Sequence, residues 1–132
     1  MKQTRYGMVV TTDRSLEEAE AAIRESLASE GFGILTEIDV AATLKQKLDV
    51  DRPPYKILGA CNPALANRGL EAEEDLGLLL PCNVVVYTKG EETVVAALEP
   101  QLMAEVTDNP ALQDVAAEAR RLLQKALARL EV

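Results

Sequence analysis

The sequence predicts an α+β fold, one antiparallel sheet with helices packed on one face. Three observations lead there. β-prone apolar runs alternate with amphipathic helical stretches, and the last two runs are joined by Lys89-Gly90-Glu91-Glu92, a hairpin-length connection that cannot link parallel strands. Two of the helical stretches are also long enough to cover one sheet face. With neither a low-complexity linker nor a repeat period, residues 1–132 are expected to form a single domain.

Tyr6 to Thr12 is the first strand, apolar and β-prone. Ser15-Leu16-Glu17-Glu18 has capping-box spacing, and Leu16, Ala19, Ile23 and Leu27 then recur at helical intervals until Gly31 supplies a left-handed stop. Gly33 to Val40 reads as a half-buried strand, with Ile34, Ile38 and Val40 on one parity and Glu37 and Asp39 on the other. Asp39 then caps a short helix that should turn Ala41, Leu44 and Leu48 inward. Pro53 and Pro54 break the chain before a third strand, Tyr55 to Ala60.

Asn62-Pro63 is a helix-start pair, with Asn as cap and Pro in the first turn, and opens a short helix from Ala64 to about Ala72. Leu78 to Thr88 is nearly continuous in Leu and Val, as in a central strand, but Pro81 marks an edge, a bend or the strand start. Thr93 to Leu98 completes the hairpin. Asn109-Pro110 repeats the helix-start pair, and Leu112, Val115, Ala119, Leu122 and Ala126 carry the stripe of the longest helix. Its acidic start, Asp114 and Glu118, and basic end, Arg120, Arg121, Lys125 and Arg129, suit the helix dipole. Leu27 and Leu122 are expected in the core, with both long helices on the same sheet face.

Composition excludes more than it reveals. The net charge of −8 disfavours phosphate backbones and anionic lipid headgroups, so neither nucleic acid nor membrane is an expected partner. With no His, the chain cannot hold a Ser-His-Asp triad, a Cys-His dyad or an HExxH zinc helix. No apolar run approaches the roughly 20 residues of a membrane helix. The N-terminal segment is too short and polar for a signal peptide, so two reduced thiols in a cytoplasmic protein are the default.

The residues able to carry chemistry are few. Cys61-Asn62 and Cys82-Asn83 each stand at a strand boundary beside Pro, 21 positions apart. If the third and fourth strands are neighbours, the thiols are close, and Cys61 precedes a helix N-terminus that stabilises thiolate or an anion. Arg68, in the following helix, is a candidate for the same anion site, whereas Lys56 should project to the other strand face from Tyr55 and Cys61. Against this, free Cys is commonly buried and inert, Asn62 is explained as a cap, and Asn83 as a partner for backbone near Pro81.

Two thiolates completed by Asn, Asp or Met fall short of the usual four-ligand zinc site, so no metal and no cofactor are expected; monovalent copper is the one conceivable ion. Glu37 with Asp39 share a strand face and could form an acid–base pair, but a solvated face explains them better. Asp49 with Asp51 and the cluster Glu71, Glu73, Glu74, Asp75 have the same bland explanation. Gly69 to Glu118 holds eleven acidic residues against one Lys, a local −10 that suits a basic partner or simple solubility.

The chain resembles the family known as domain of unknown function 302. The resemblance rests on Tyr6-Gly7, on Gly31-Phe32-Gly33-Ile34-Leu35-Thr36-Glu37-Ile38-Asp39-Val40, on Pro54-Tyr55-Lys56-Ile57-Leu58-Gly59-Ala60-Cys61-Asn62-Pro63 and on Leu79-Leu80-Pro81-Cys82-Asn83-Val84-Val85-Val86-Tyr87. Glu74 departs from the pattern, in a loop, where a Pro is common. The resemblance implies a fold similar to the TATA-binding-protein class, a curved antiparallel sheet with helices on one face, without implying DNA binding. It makes the two Cys-Asn words a hallmark and brings no activity with it.

The expected function is therefore a non-enzymatic module that binds a small ligand or a protein. It is expected to be a homodimer, because Val84, Val85, Val86, Val94 and Val95 supply apolar side chains to both faces of the sheet. The alternative is a thiol-dependent protein that handles a sulfur species, a redox equivalent or a soft metal through Cys61 and Cys82. A third reading leaves both thiols buried and inert.

Overall fold

A computed structural model describes residues 1–131. Six strands form one antiparallel sheet: β1 (Lys2–Gln3), β2 (Gly7–Thr12), β3 (Gly33–Asp39), β4 (Tyr55–Cys61), β5 (Cys82–Lys89) and β6 (Glu92–Leu98), in the spatial order β1-β2-β6-β5-β4-β3. The helices are α1 (Leu16–Ser29), α2 (Val40–Leu48), α3 (Pro63–Ala72), α4 (Gln101–Thr107) and α5 (Gln113–Ala128), with 3-10 turns at Glu74–Leu79 and Pro110–Leu112. β1, α4 and the turn at Glu74–Leu79 are not legible as elements in the sequence, and Leu78 to Leu80 precede the strand instead of opening it.

Local chemistry accounts for the helix starts. Ser15 Oγ accepts from the Glu18 N–H at 3.2 Å, capping the head of α1, and donates to the Glu18 carboxylate at 2.9 Å, so the carboxylate meets the Ser15 hydroxyl and not its backbone N–H. Gly31, at φ +86°, provides the left-handed stop. Asp39 caps α2 through the Ala42 N–H, and Asn62 caps α3 through the Leu65 N–H. Asn109 accepts from the Ala111 N–H to start the 3-10 turn that leads into α5.

The core lies between one face of the sheet and the pair α1 and α5. Met8, Val10, Leu58, Val84, Val86, Val95 and Ala97 point into it from the strands, and Ile23, Leu27, Leu123 and Leu127 from the helices. Ser26 Oγ donates to the Ala126 carbonyl at 2.7 Å, joining α1 to α5 within the buried layer. On the β1 side, the buried Glu99 carboxylate accepts from Arg120 Nε at 2.6 Å and from Gln3 Nε2 at 3.4 Å, so the charge is paired where it leaves water. Leu122 is a correction: it is only half-buried, because the inward line of α5 runs Val115, Ala119, Leu123, Ala126 and Leu127.

β3 and α2 depart further from expectation. The pairing of β3 with β4 shifts between Ile34 and Thr36, a bulge at Leu35. One inserted residue exchanges the faces of everything after it. Ile34 therefore packs on the core, while Ile38 lies opposite Ile57 on the other face and is exposed, and Glu37 takes the core-side parity at the sheet edge. β3 is thus mostly exposed and not a half-buried strand. α2 caps that open corner and buries none of its residues, so Leu44 is half-buried and Leu48 lies exposed instead of turning inward.

Candidate functional site

Cys61 ends β4 and Cys82 begins β5; the register pairs Ala60 with Cys82, so Cys61 stands one residue beyond that pair and strand alternation turns its side chain toward the other face of the sheet. Both line a small apolar cleft of about 30 Å³ on the helix side, together with Phe32, Leu65, Leu76 and Met103. Cys82 is buried and Cys61 half-buried, and both are free thiols. Burial, and then the charge of nearby Cys61, push the Cys82 thiol up to about 11. A group raised in this way stays protonated at neutral pH unless a cation replaces its proton.

Asn62 belongs to the scaffold of this cleft. Its side-chain oxygen caps α3, and its Nδ2 donates to the Glu30 carbonyl at 3.3 Å, tying the head of α3 to the end of α1. A Cβ at Gly31 would stand 3.1 Å from that nitrogen, so a glycine there both takes the positive φ and leaves room for the tether. Gly69 plays a like part in α3, where a Cβ would meet Leu76 Cδ2 at 2.6 Å.

The structure does not bring the other two candidates to the thiols. Asn83 follows Cys82 by one residue and so faces the opposite side of the sheet, where it lines a different cavity. Arg68 is exposed on α3, where its charge adds to the Arg121 hydrogen bond that holds the Glu118 carboxyl below its usual range. The anion clamp expected from Arg68 is therefore absent from this cleft.

The carboxylate pairs are occupied in scaffold roles. Glu37 accepts from Arg24 at 2.8 Å and from Lys56 at 3.4 Å, while Lys56 also pairs with Glu20 at 2.9 Å, a four-charge network beneath α1. Asp39 is the α2 cap. Asp49 and Asp51 both pair with Lys45, at 2.8 and 3.1 Å. No group of three Cys, Asp or Glu side chains is placed to hold a metal ion among the described residues.

The larger concavity lies on the sheet face opposite α1 and α5. A row of side chains crosses five strands there, Val9, Ala96, Val85, Ile57 and Ile38, each opposite the next in register. A second row, Thr11, Val94, Tyr87 and Tyr55, runs beside it, and the two tyrosine rings stack at 5.1 Å with 10° between planes. Val9, Ala96 and Val85 of the first row and all four residues of the second, together with Tyr6, Asn83 and Leu98, line a trough of about 740 Å³ whose charged residues are Lys2, Lys89 and Glu92. Val94 is almost fully buried here by its neighbours alone.

Sequence reasoning missed Met103, since α4 carries no cap or long stripe to announce it. It did not assemble the open face either, because the Leu35 bulge is what delivers Ile38 to the row. The valine pattern was the legible signal: Val84, Val86 and Val95 turn inward and Val85 and Val94 outward, as alternation requires.

The sequence matches the family described as Domain of unknown function DUF302 over residues 8–130. Among solved structures, it is similar to an uncharacterized conserved DUF302 protein from Bacillus stearothermophilus, known from its crystal structure. The two share 31% sequence identity and a TM-score of 0.90, over 97% of this chain and 100% of that one. No functionally curated protein matches the sequence.

Proposed function

The chain belongs to the DUF302 family, and from that premise we propose that it is a non-catalytic binding module working as a homodimer, its open sheet face covered by a second copy. The apolar row across five strands carries this reading. An α+β domain buries one sheet face under helices and ordinarily makes the other polar, yet here the uncovered face presents Val, Ile, Ala and Tyr.

Area supports the same conclusion. The protein exposes 7533 Å², whereas a compact monomer of 14.3 kDa exposes roughly 6,800 Å². The excess, roughly 700 Å², is close to the about 800 Å² that each partner loses in a standard interface. Charge favours a second copy over a basic partner: the chain carries −8, but the trough holds two lysines and one glutamate. Two copies can therefore meet here without pressing their acidic surfaces together.

A second reading puts a small ligand with an apolar, planar part in the trough, and the stacked Tyr55–Tyr87 pair favours it. Methyl NMR on serial dilution separates the two. With a second copy on the face, the Val9, Val85 and Val94 signals shift with protein concentration while Val84 and Val86 stay fixed. Signals that ignore concentration refute the dimer and leave the small-ligand reading to be pursued.

A further inference from the structure

We infer that the trough on the open face is a binding site for a planar aromatic carboxylate, which takes the place of the second copy. This rests on the reading that a second copy covers the face, and adds the ligand that uncovers it. β5 supplies the site in order: Asn83, Val85, Tyr87 and Lys89 stand at alternate positions of one strand, and all line the trough of about 740 Å³. An amide lies at one end and a cation at the other, with an apolar and aromatic floor between them.

Aromatic side chains are gathered here. The chain has three Tyr, one Phe and no Trp, and all three tyrosines line the trough. The Tyr55 and Tyr87 rings, paired in register, stack at 5.1 Å with 10° between planes, and Tyr87 stands opposite Val94 on the next strand. Flat surfaces of this kind favour a planar ring system over a branched alkyl chain. The volume also lies within the range of about 300–1,000 Å³ usual for small-molecule sites.

Charge selects an anion. Lys2 and Lys89 line the trough, Arg52 lies 5.3 Å from the centre of the Tyr55 ring, and none of the three forms an ion pair among the described residues. Glu92 is the trough's single acidic residue. A chain of net charge −8 thus keeps three free cations around its aromatic face, which draws a carboxylate there. The same cations face their counterparts when two copies meet, so the cover is one that an anion can displace. Asn83 adds a donor and an acceptor for a polar group on the ligand. Unlike Asn62, which caps α3 and tethers it to α1, Asn83 makes no side-chain hydrogen bond among the described residues. Val85, Tyr87 and Val94 belong both to the trough and to the covered face, so one occupant excludes the other.

Calorimetric titration with naphthalene-2-carboxylate and with the neutral naphthalene-2-methanol, paired with sedimentation equilibrium, tests the site. The carboxylate is expected to bind wild type about tenfold more tightly than the alcohol, since a charged acceptor makes the stronger hydrogen bonds. Lys89→Gln should bring the two affinities within about threefold of each other, and Tyr87→Leu should weaken both about fivefold, each with an unchanged circular dichroism spectrum. Saturating carboxylate is expected to lower the mass of the wild-type protein, at tens of micromolar, from twice to once that of the chain. No binding of the carboxylate, equal affinity for carboxylate and alcohol, a preference unchanged by Lys89→Gln, or a dimer that persists at saturation would each overturn the inference. Single mass before any ligand is added would instead refute the covering copy, and the ligand site then stands or falls on the calorimetry alone.

Discussion

The two faces of the sheet come from the same strands, residue by alternate residue, and meet opposite fates. On the covered face, Leu58, Val84, Val86 and Val95 are fully buried under α1 and α5. On the open face, Ile57, Val85 and Ala96 occupy the neighbouring positions with similar chemistry and stay half-exposed. Composition therefore does not distinguish a face that the chain covers from one that it leaves for something else. What distinguishes them is the supply of helices, and all the long ones lie on one side.

That contrast can be broken by mutation. Leu58→Ala, on the covered face, should cost about 2–5 kcal/mol of unfolding free energy at every protein concentration, read from urea midpoints. Equal cost for Val85→Ala in dilute protein would abolish the distinction. Gly59 is a special case on the open side, since a Cβ there would stand 2.1 Å from Thr36 Oγ1 and 2.7 Å from Pro81 Cγ. Gly59→Ala should cost about 1–3 kcal/mol and loosen the β3 edge, visible as faster amide exchange in β3 than in β6.

Val85→Ala itself should cost under about 1 kcal/mol in dilute protein and more as concentration rises and the face is covered. The smallest effect lies at the edge network. Burial tends to raise the Glu20 carboxyl, but hydrogen bonds and charge from Lys56 and Arg24 outweigh it and hold it below 4.5. Stability from this group is present above pH 4.5 and lost as pH falls through its lower folded value. Glu20→Gln should therefore flatten the acid limb of a urea-midpoint profile below pH 4.5 and change little above pH 6 beyond a uniform offset.

Much of this was legible in the residues. Ser15, Asp39, Asn62 and Asn109 announced their caps because each combines a side-chain acceptor with a following helical or Pro-led start. The fold class followed from alternation and one short hairpin. The errors have local causes: the Leu35 bulge reversed the faces of β3, and the exposed α2 has no neighbour to receive Leu48. At the candidate site, β4 and β5 are neighbours as the sequence reading required, which sets the two Cys-Asn words at facing strand ends. Arg68 and Asn83 were misjudged because helix azimuth and strand parity, not proximity in sequence, decide what a side chain meets. Met103 was invisible, because nothing local ties α4 to the cleft.

Sedimentation equilibrium on wild type and Val85→Arg tests the coverage of the open face most directly. The substitution would place an unpaired charge at the centre of the five-strand row without disturbing the covered core. The expected result is twice the 14.3 kDa chain mass for wild type at tens of micromolar and the single mass for the variant, both equally folded. A wild-type protein of single mass over that range, or a variant that dimerises as tightly, would contradict the claim that a second copy covers this face.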